Sequence, residues 1–356
     1  RKRGVQFLLI GEEQVPLTVL HAKNIFIFFS ADWCKPCRTL APQLAEIYNA
    51  LESKGAQLQI VFVSFDHDED RFQEHFKFMP WLAVPFDKSL HRELINRYRV
   101  ERIPSLVSSD SDDESVEDLI SFIEDYGVEA FPFTKKRRDE LRAIDEARRN
   151  GGNLEQLLSC DHVIARDGRK VKISDLAGMT IGLFFGARWC PYSLKFSSLM
   201  AEVCNDLKQE GGASFEVILV STDRDGEEFE LHRGELPWLA VPFDDRIGHE
   251  MLRVFDIKGI PALVVMENGI AVTVDGKRRV ETYGAAAYPF SDSRIAEIEA
   301  RLKTEGDSLP RQVIDGEHMH ALTLDMAKGY VCDFCGKKGQ FWAFTCRRCN
   351  YDLHPA

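Results

Sequence analysis

The chain has 356 residues, 44% of them hydrophobic, enough for two or three domains, and no apolar run approaches the ~20 residues that span a membrane. A formal net charge of −12 excludes a general nucleic-acid binder, which needs a basic face against phosphate. Nine cysteines, six of them in three C-x-x-C pairs, fit a cytosolic mixture of redox and metal chemistry and not a secreted disulfide framework. No signal peptide is visible. Arg1 and Ala356 are read as cut points, beyond which a targeting segment is left open.

In chain order, Asn24 to Ser30 (NIFIFFS) is a continuous apolar run, the pattern of a strand buried on both faces. Trp33-Cys34-Lys35-Pro36-Cys37 follows, and then Leu40, Leu44, Ile47, Tyr48 and Leu51 recur at helical spacing. Cys34 therefore opens an amphipathic helix, with Cys37 one turn inside it. A thiol at the positive end of a helix dipole, with Lys35 beside it, is favoured as the thiolate, the form that attacks disulfides. Cys37 is placed to resolve the mixed disulfide that Cys34 forms. The alternative use of a C-x-x-C pair, half of a zinc site, is rejected here. No second ligand pair lies nearby, the pair opens a helix after a buried strand, and Ile103-Pro104 follows about seventy residues later.

A strand over residues 58–65, a helix near 70–78, the turn PWLAVPF, a short helix ending near Tyr98 and a strand over 105–108 are predicted next. The acidic stretch 110–118 predicts an irregular edge strand. A charged linker follows, with a helix between Arg137 and Arg149 and a break at Asn150-Gly151-Gly152. Its Lys135-Lys136-Arg137-Arg138 run is weighed as a nuclear-localisation patch and read more simply as a solvated helix face.

The chain then repeats itself. Trp33-Cys34 matches Trp189-Cys190 at an offset of 156, while PWLAVPFD at Pro80 matches Pro237, and Ile103-Pro104 matches Ile260-Pro261, at 157. Two copies of one α/β domain are implied, too long for solenoid repeats. The second copy has a plausible hairpin over 262–274 around Asn268-Gly269. Its motif reads Trp189-Cys190-Pro191-Tyr192-Ser193, with serine in place of Cys37. Cys204 is no substitute, because fourteen residues of helix span ~21 Å against ~7 Å at most between bridged Cα atoms. Either Cys190 works as a monothiol that awaits an external thiol, or the copy is kept for docking; the second reading is adopted.

The tail carries His318-Met319-His320, Cys332-x-x-Cys335, Cys346-x-x-Cys349 and His354, soft and borderline donors that replace the core so short a segment lacks. A structural zinc site is expected.

The strand, the helix-opening WCKPC and the later Ile-Pro together resemble the thioredoxin fold. FFSADWCKPCRTLAPQLAEIY and MPWLAVPF are similar to its tryparedoxin and nucleoredoxin branch. The resemblance implies two tandem thioredoxin-like domains, each a central mixed sheet flanked by helices, at residues 1–135 and 160–305, with a helical linker at 136–159. Pro104 is then cis beside the active-site cysteines, and Trp33 belongs to the motif. Ordinary thioredoxins carry a buried Asp where this chain has Phe28, so a proton on Cys37 needs another carrier. Asp66 is the candidate by resemblance to tryparedoxins, against a plain surface carboxylate.

YVCDFCGKKGQFWAFTCRRCNYDLH resembles the plant Cys/His-rich domain related to the phorbol-ester-binding zinc module, implying such a module at 312–356. The resemblance pairs Cys332 and Cys335 with His354 on one ion, and His320 (or His318) with Cys346 and Cys349 on another. Each set is one ligand short, since the family places further cysteines just after the late histidine; the alternative is one zinc held by the four cysteines. The whole resembles the shorter type of plant nucleoredoxin. That implies a protein-disulfide reductase acting on oxidised proteins in cytoplasm and nucleus and protecting them in oxidative stress. Thioredoxin reductase is the implied electron donor, so that NADPH enters only indirectly. The competing expectation is a redox-regulated scaffold or holdase with little turnover.

Overall fold

The computed structural model of the chain describes residues 5–21, 24–109, 118–209, 211 and 214–355. It divides into two compact units, Arg1–Asp145 and Glu146–Ala356. The first holds strands β1 (Phe7–Ile10), β2 (Glu13–Pro16), β3 (Asn24–Ser30), β4 (Leu58–Ser64), β5 (Leu82–Ala83) and β6 (Ser105–Ser108), with helices α1 (Lys35–Ser53), α2 (Glu69–Phe76), α3 (Lys88–Arg97) and α4 (Leu119–Tyr126). Helix α5 (Lys135–Asn150) contains the point of division.

The sheet runs β2-β1-β5-β4-β3-β6. β3, β4 and β5 are parallel; β1 and β6 run antiparallel to their neighbours. The apolar run of β3 is explained by its two covered faces. Phe26 and Phe28 pack in the cluster under α1 with Leu40, Leu44, Tyr48 and Leu51, and Ile27 and Phe29 pack on the other side. Phe28 meets Trp81 edge to face at 5.8 Å. The predicted helix near 70–78 is α2, begun by Asp68, whose carboxylate accepts the Arg71 N–H at 2.9 Å, and ended before Met79-Pro80. The acidic stretch predicted as an irregular edge lies outside the described residues, save Asp118, which caps α4.

The second unit holds α6 (Leu154–Leu158), β7 (His162–Ile164), β8 (Lys170–Lys172), β9 (Thr180–Gly186), α7 (Pro191–Gln209), β10 (Phe215–Ser221), α8 (Gly226–Glu235), β11 (Leu239–Ala240), α9 (Asp245–Val254), β12 (Ala262–Glu267), β13 (Ile270–Thr273), α10 (Gly276–Tyr283) and α11 (Asp292–Ser308). Its sheet, β13-β12-β9-β10-β11-β7-β8, repeats the first around β9 and β10. Leu157 and Leu158 of α6 are wholly buried in this core, so the end of segment 136–159 packs with the second unit. The predicted hairpin is β12–β13, turned by Asn268 and Gly269 at φ +50° and +75°. A Cβ on Gly269 would lie 2.5 Å from the Gly152 carbonyl, so only glycine fits.

Antiparallel strands β14 (Gln312–Val313), β15 (Leu322–Val331), β16 (Lys338–Cys346) and β17 (Tyr351–Leu353) form the tail module of the same unit. Its own buried core is small: Leu322, Phe344 and Cys346. It is docked on α11, where the Trp342 indole N–H donates to Leu302 O at 2.9 Å and a Cβ on Gly306 would stand 2.2 Å from the same ring. Gln340 donates to Thr282 O at 3.2 Å, and the Phe341 and Tyr283 rings lie 6.0 Å apart.

Candidate functional site

The first site is built where β3 hands over to α1. Cys34 is the N-cap of α1, and its Sγ accepts the Cys37 N–H at 3.4 Å, so an orphan donor of the helix end points at the sulfur. Both thiols are free. Cys34 is 7% exposed and Cys37 wholly buried behind it, the geometry of an attacking thiol with a resolving thiol held in reserve. Burial, then the hydrogen bond to Cys34, pushes the Cys37 thiol up to about 12; the Ser30 hydroxyl and the Ala31 backbone act in the other direction. The Ile103-Pro104 bond is cis, and Ile103 O lies 3.9 Å from Cys34 Sγ. Trp33 is 52% exposed; its Nε1–H donates to Phe65 O at 3.2 Å, and its ring stacks on His67 at 5.9 Å. Trp33 thus forms a flat apolar rim beside Cys34.

Asp66 is buried two residues beyond β4, not on the surface. Its Oδ1 accepts the Asp32 N–H at 2.8 Å and its Oδ2 the Ser64 hydroxyl at 2.7 Å. Oδ1 thus holds the loop that carries Trp33 and Cys34, and Oδ2 ties the carboxylate to the end of β4. Two residues not anticipated from sequence lie deeper: Ser30 Oγ is 2.8 Å from His75 Nε2, both buried. Their signal was the repeat, since His75 recurs as His232 whereas Ser30 is replaced by Gly186.

The second site keeps the outline. The Trp189 Nε1–H donates to Thr222 O at 3.2 Å, Ile260-Pro261 is cis, and Ile260 O lies 4.0 Å from Cys190 Sγ. Asp223 accepts the Arg188 N–H at 2.6 Å and the Ser221 hydroxyl at 2.8 Å, as Asp66 does in the first copy. Burial pushes the Cys190 thiol up, but Ser193 and the backbone N–H groups of Ser193 and Tyr192 outweigh it and hold the thiol below its ordinary value. Cys204 lies in the same helix α7, and burial pushes its thiol up to about 12, the opposite of a reactive cysteine.

In the tail two donor clusters form, each with its atoms within 4.8 Å of one another: His318, His320, Cys346 and Cys349 in one, Cys332, Cys335 and His354 in the other. The expectation that each set is one ligand short is corrected for the first, where both histidines converge because they flank Met319 in one loop. Nor do the four cysteines gather, because β15 and β16 hold the two knuckles apart. His320 Nδ1 lies 3.3 Å from Cys349 Sγ, and His354 Nδ1 3.5 Å from Cys335 Sγ. Two histidines and two thiols in one cluster match the donor set and number of a structural zinc site.

The profile of a thioredoxin-like family matches residues 22–114 and 178–272, and that of a C1 domain residues 317–356. "Probable nucleoredoxin 3" of Arabidopsis thaliana is 53% identical over 99% of this chain and 91% of its own length. Its namesake in Oryza sativa subsp. japonica is 45% identical over 92% of this chain and 72% of its own. The human "Nucleoredoxin" is 32% identical over 78% and 66%.

Proposed function

The chain belongs to the nucleoredoxin family, and from that premise we propose that it is a protein-disulfide reductase whose working pair is Cys34 and Cys37. A thiol–disulfide oxidoreductase role follows from the family; the direction, substrates and electron source are the proposal. The observation that carries it is the Cys34 N-cap, a nearly covered sulfur at a helix N-terminus with a second free thiol directly behind it. Cys34 attacks one sulfur of an oxidised protein, whose backbone lies along the edge at Ile103 and against Trp33. Cys37 then displaces the substrate as a thiol, closing the Cys34–Cys37 disulfide. An external dithiol of the thioredoxin reductase type returns two electrons, and NADPH enters only through it.

Each donor cluster of the tail holds structural zinc, the complete one through His318, His320, Cys346 and Cys349. Among the described residues no helix is long and apolar enough to cross a membrane. Cytoplasm and nucleus are proposed as the setting, and oxidative stress as the occasion. The test is NADPH-coupled reduction of a model disulfide protein with and without thioredoxin reductase: turnover needs both the reductase and Cys34, and a chain that consumes no NADPH with the reductase present refutes the reading.

A further inference from the structure

The resolving step asks a thiol that water does not reach to give up a proton. Ser30, the last residue of β3, is as buried as Cys37, and its hydroxyl acts on that thiol by favouring its thiolate form. On its other side the same hydroxyl meets His75 Nε2 of α2 at 2.8 Å. Packed against the imidazole are Phe62, edge to face at 5.5 Å, and the fields of three charged groups: Asp66 and Asp32, which favour the imidazolium, and Arg38, which disfavours it. Burial outweighs them and holds the ring below the ordinary histidine value, so it is neutral and free to accept a proton.

The second copy acts as an internal comparison. Where Cys37 stands, it has Ser193; where Ser30 stands, it has Gly186, and a Cβ there would lie 2.6 Å from the Phe184 ring. His232 is retained but turned, its Nδ1 2.9 Å from Asp223 Oδ2 and its buried Nε2 without a hydrogen-bond partner. The hydroxyl bridge is present in the copy that has a resolving thiol and missing from the copy that has none.

We propose that Ser30 and His75 form a proton relay that activates Cys37 in the resolving step. It rests on the reductase reading above and adds the group that the replacement of the thioredoxin Asp by Phe28 leaves to be found. As Cys37 Sγ attacks Cys34 Sγ, the thiol proton passes to Ser30 Oγ while the Ser30 proton passes to His75 Nε2. The Cys34–substrate S–S bond breaks, and the substrate sulfur leaves with the bonding pair. The steps are concerted: burial holds the thiol up and the imidazole down, so the proton moves as the forming S–S bond draws on the sulfur lone pair. The imidazolium then loses its proton to solvent, where the departing thiolate takes one up. When an external dithiol re-reduces the disulfide, one of its two protons returns to Cys37. In this relay Ser30 exchanges the proton with the reacting sulfur, and His75 acts through it as a positioning and accepting group.

The experiment uses the full chain carrying Cys190→Ser, zinc-loaded and reduced, mixed with oxidised glutathione, quenched in acid at intervals and weighed by mass spectrometry. The glutathione adduct on Cys34 forms first, and the closed disulfide replaces it. In Ser30→Ala and in His75→Gln, which keeps a hydrogen-bond acceptor but cannot take a proton, the adduct should persist at least about tenfold longer near pH 7. The difference should shrink towards about pH 10, where hydroxide does the work of the base. Closure within about twofold of the parent in His75→Gln, or a deficit that does not change with pH, overturns the relay. If the parent chain forms no adduct, the reductase reading falls and takes the relay with it.

Discussion

Asp66 allows two roles, proton carrier or anchor, to be separated by one pair of substitutions. In Asp66→Ala the half-buried Asp32 N–H and the buried Ser64 hydroxyl hydrogen lose their acceptors; the Asp66 N–H keeps Ser64 Oγ at 2.8 Å. Leaving a covered donor unpaired costs about 1–3 kcal/mol each, so the first unit should lose about 2–6 kcal/mol in denaturant titration. Reductase activity should fall as well, because the Asp32 N–H fixes the loop bearing Cys34. In Asp66→Asn the amide oxygen still accepts from Asp32, and the amide N–H donates to Ser64 Oγ once that hydroxyl turns. Stability should then fall by about 1 kcal/mol or less, and kcat/KM should stay within about fivefold of the parent with the same pH profile. The second copy supports the anchor role: Asp223 holds Arg188 and Ser221 in the same way although that copy has no resolving thiol to serve. An Asp66→Asn chain as inactive as Asp66→Ala near neutral pH, but recovering as the pH is raised, would refute the anchor and make Asp66 the proton carrier.

Cys37→Ser should capture substrates as stable mixed disulfides on Cys34, visible on non-reducing gels; normal turnover by that variant would reverse the roles given to the two thiols. Cys190→Ser should keep most activity, and a loss beyond about tenfold, ~1.4 kcal/mol of transition-state stabilisation, would show that the second copy relays the mixed disulfide. Chelation should unfold the segment after Pro310 while Cys34 stays active, followed by circular dichroism and activity side by side; activity lost with the metal would place the tail in the catalytic unit. Burial holds the His75 and His91 imidazoles below their ordinary 6.5. The unfolded chain therefore binds more protons as pH falls through that value, so the first unit should be fully stable above it and weaken below. Denaturant midpoints across this range should flatten in His75→Gln and His91→Gln.

Much of this was legible in the sequence because it obeys period and position. NIFIFFS reads as a doubly covered strand because its side chains from Ile25 on have a core to enter on one face or the other, and WCKPC reads as a helix start because the apolar spacing changes just after it. The hairpin at Asn268-Gly269 was marked by turn chemistry alone. The site's inner layer was not legible in any local pattern; only the recurrence of His75 as His232 in the repeat marked it. His75 sits among Glu and Phe residues of a short amphipathic helix, where nothing local separates it from a surface histidine. Ser30 ends an apolar run in which a small residue looks like simple packing. Their meeting joins positions 45 residues apart, which only the sheet order brings together. The convergence of His318 and His320 on one cluster was hidden for a related reason, since the path of their loop brings a ring nitrogen of each to the same two thiols.

The notch at Gly306 has a consequence for how this chain can be taken apart. The indole that fills it ties the tail to the last helix of the second domain, so the tail is not a detachable bead. A chain ended after α11 would uncover Leu302 and the face of Tyr283, an apolar patch normally roofed by Phe341 and Trp342. Such a shortened protein should fold and then self-associate, and a bulkier residue at Gly306 should produce the same stickiness in the full-length chain by prying the roof away.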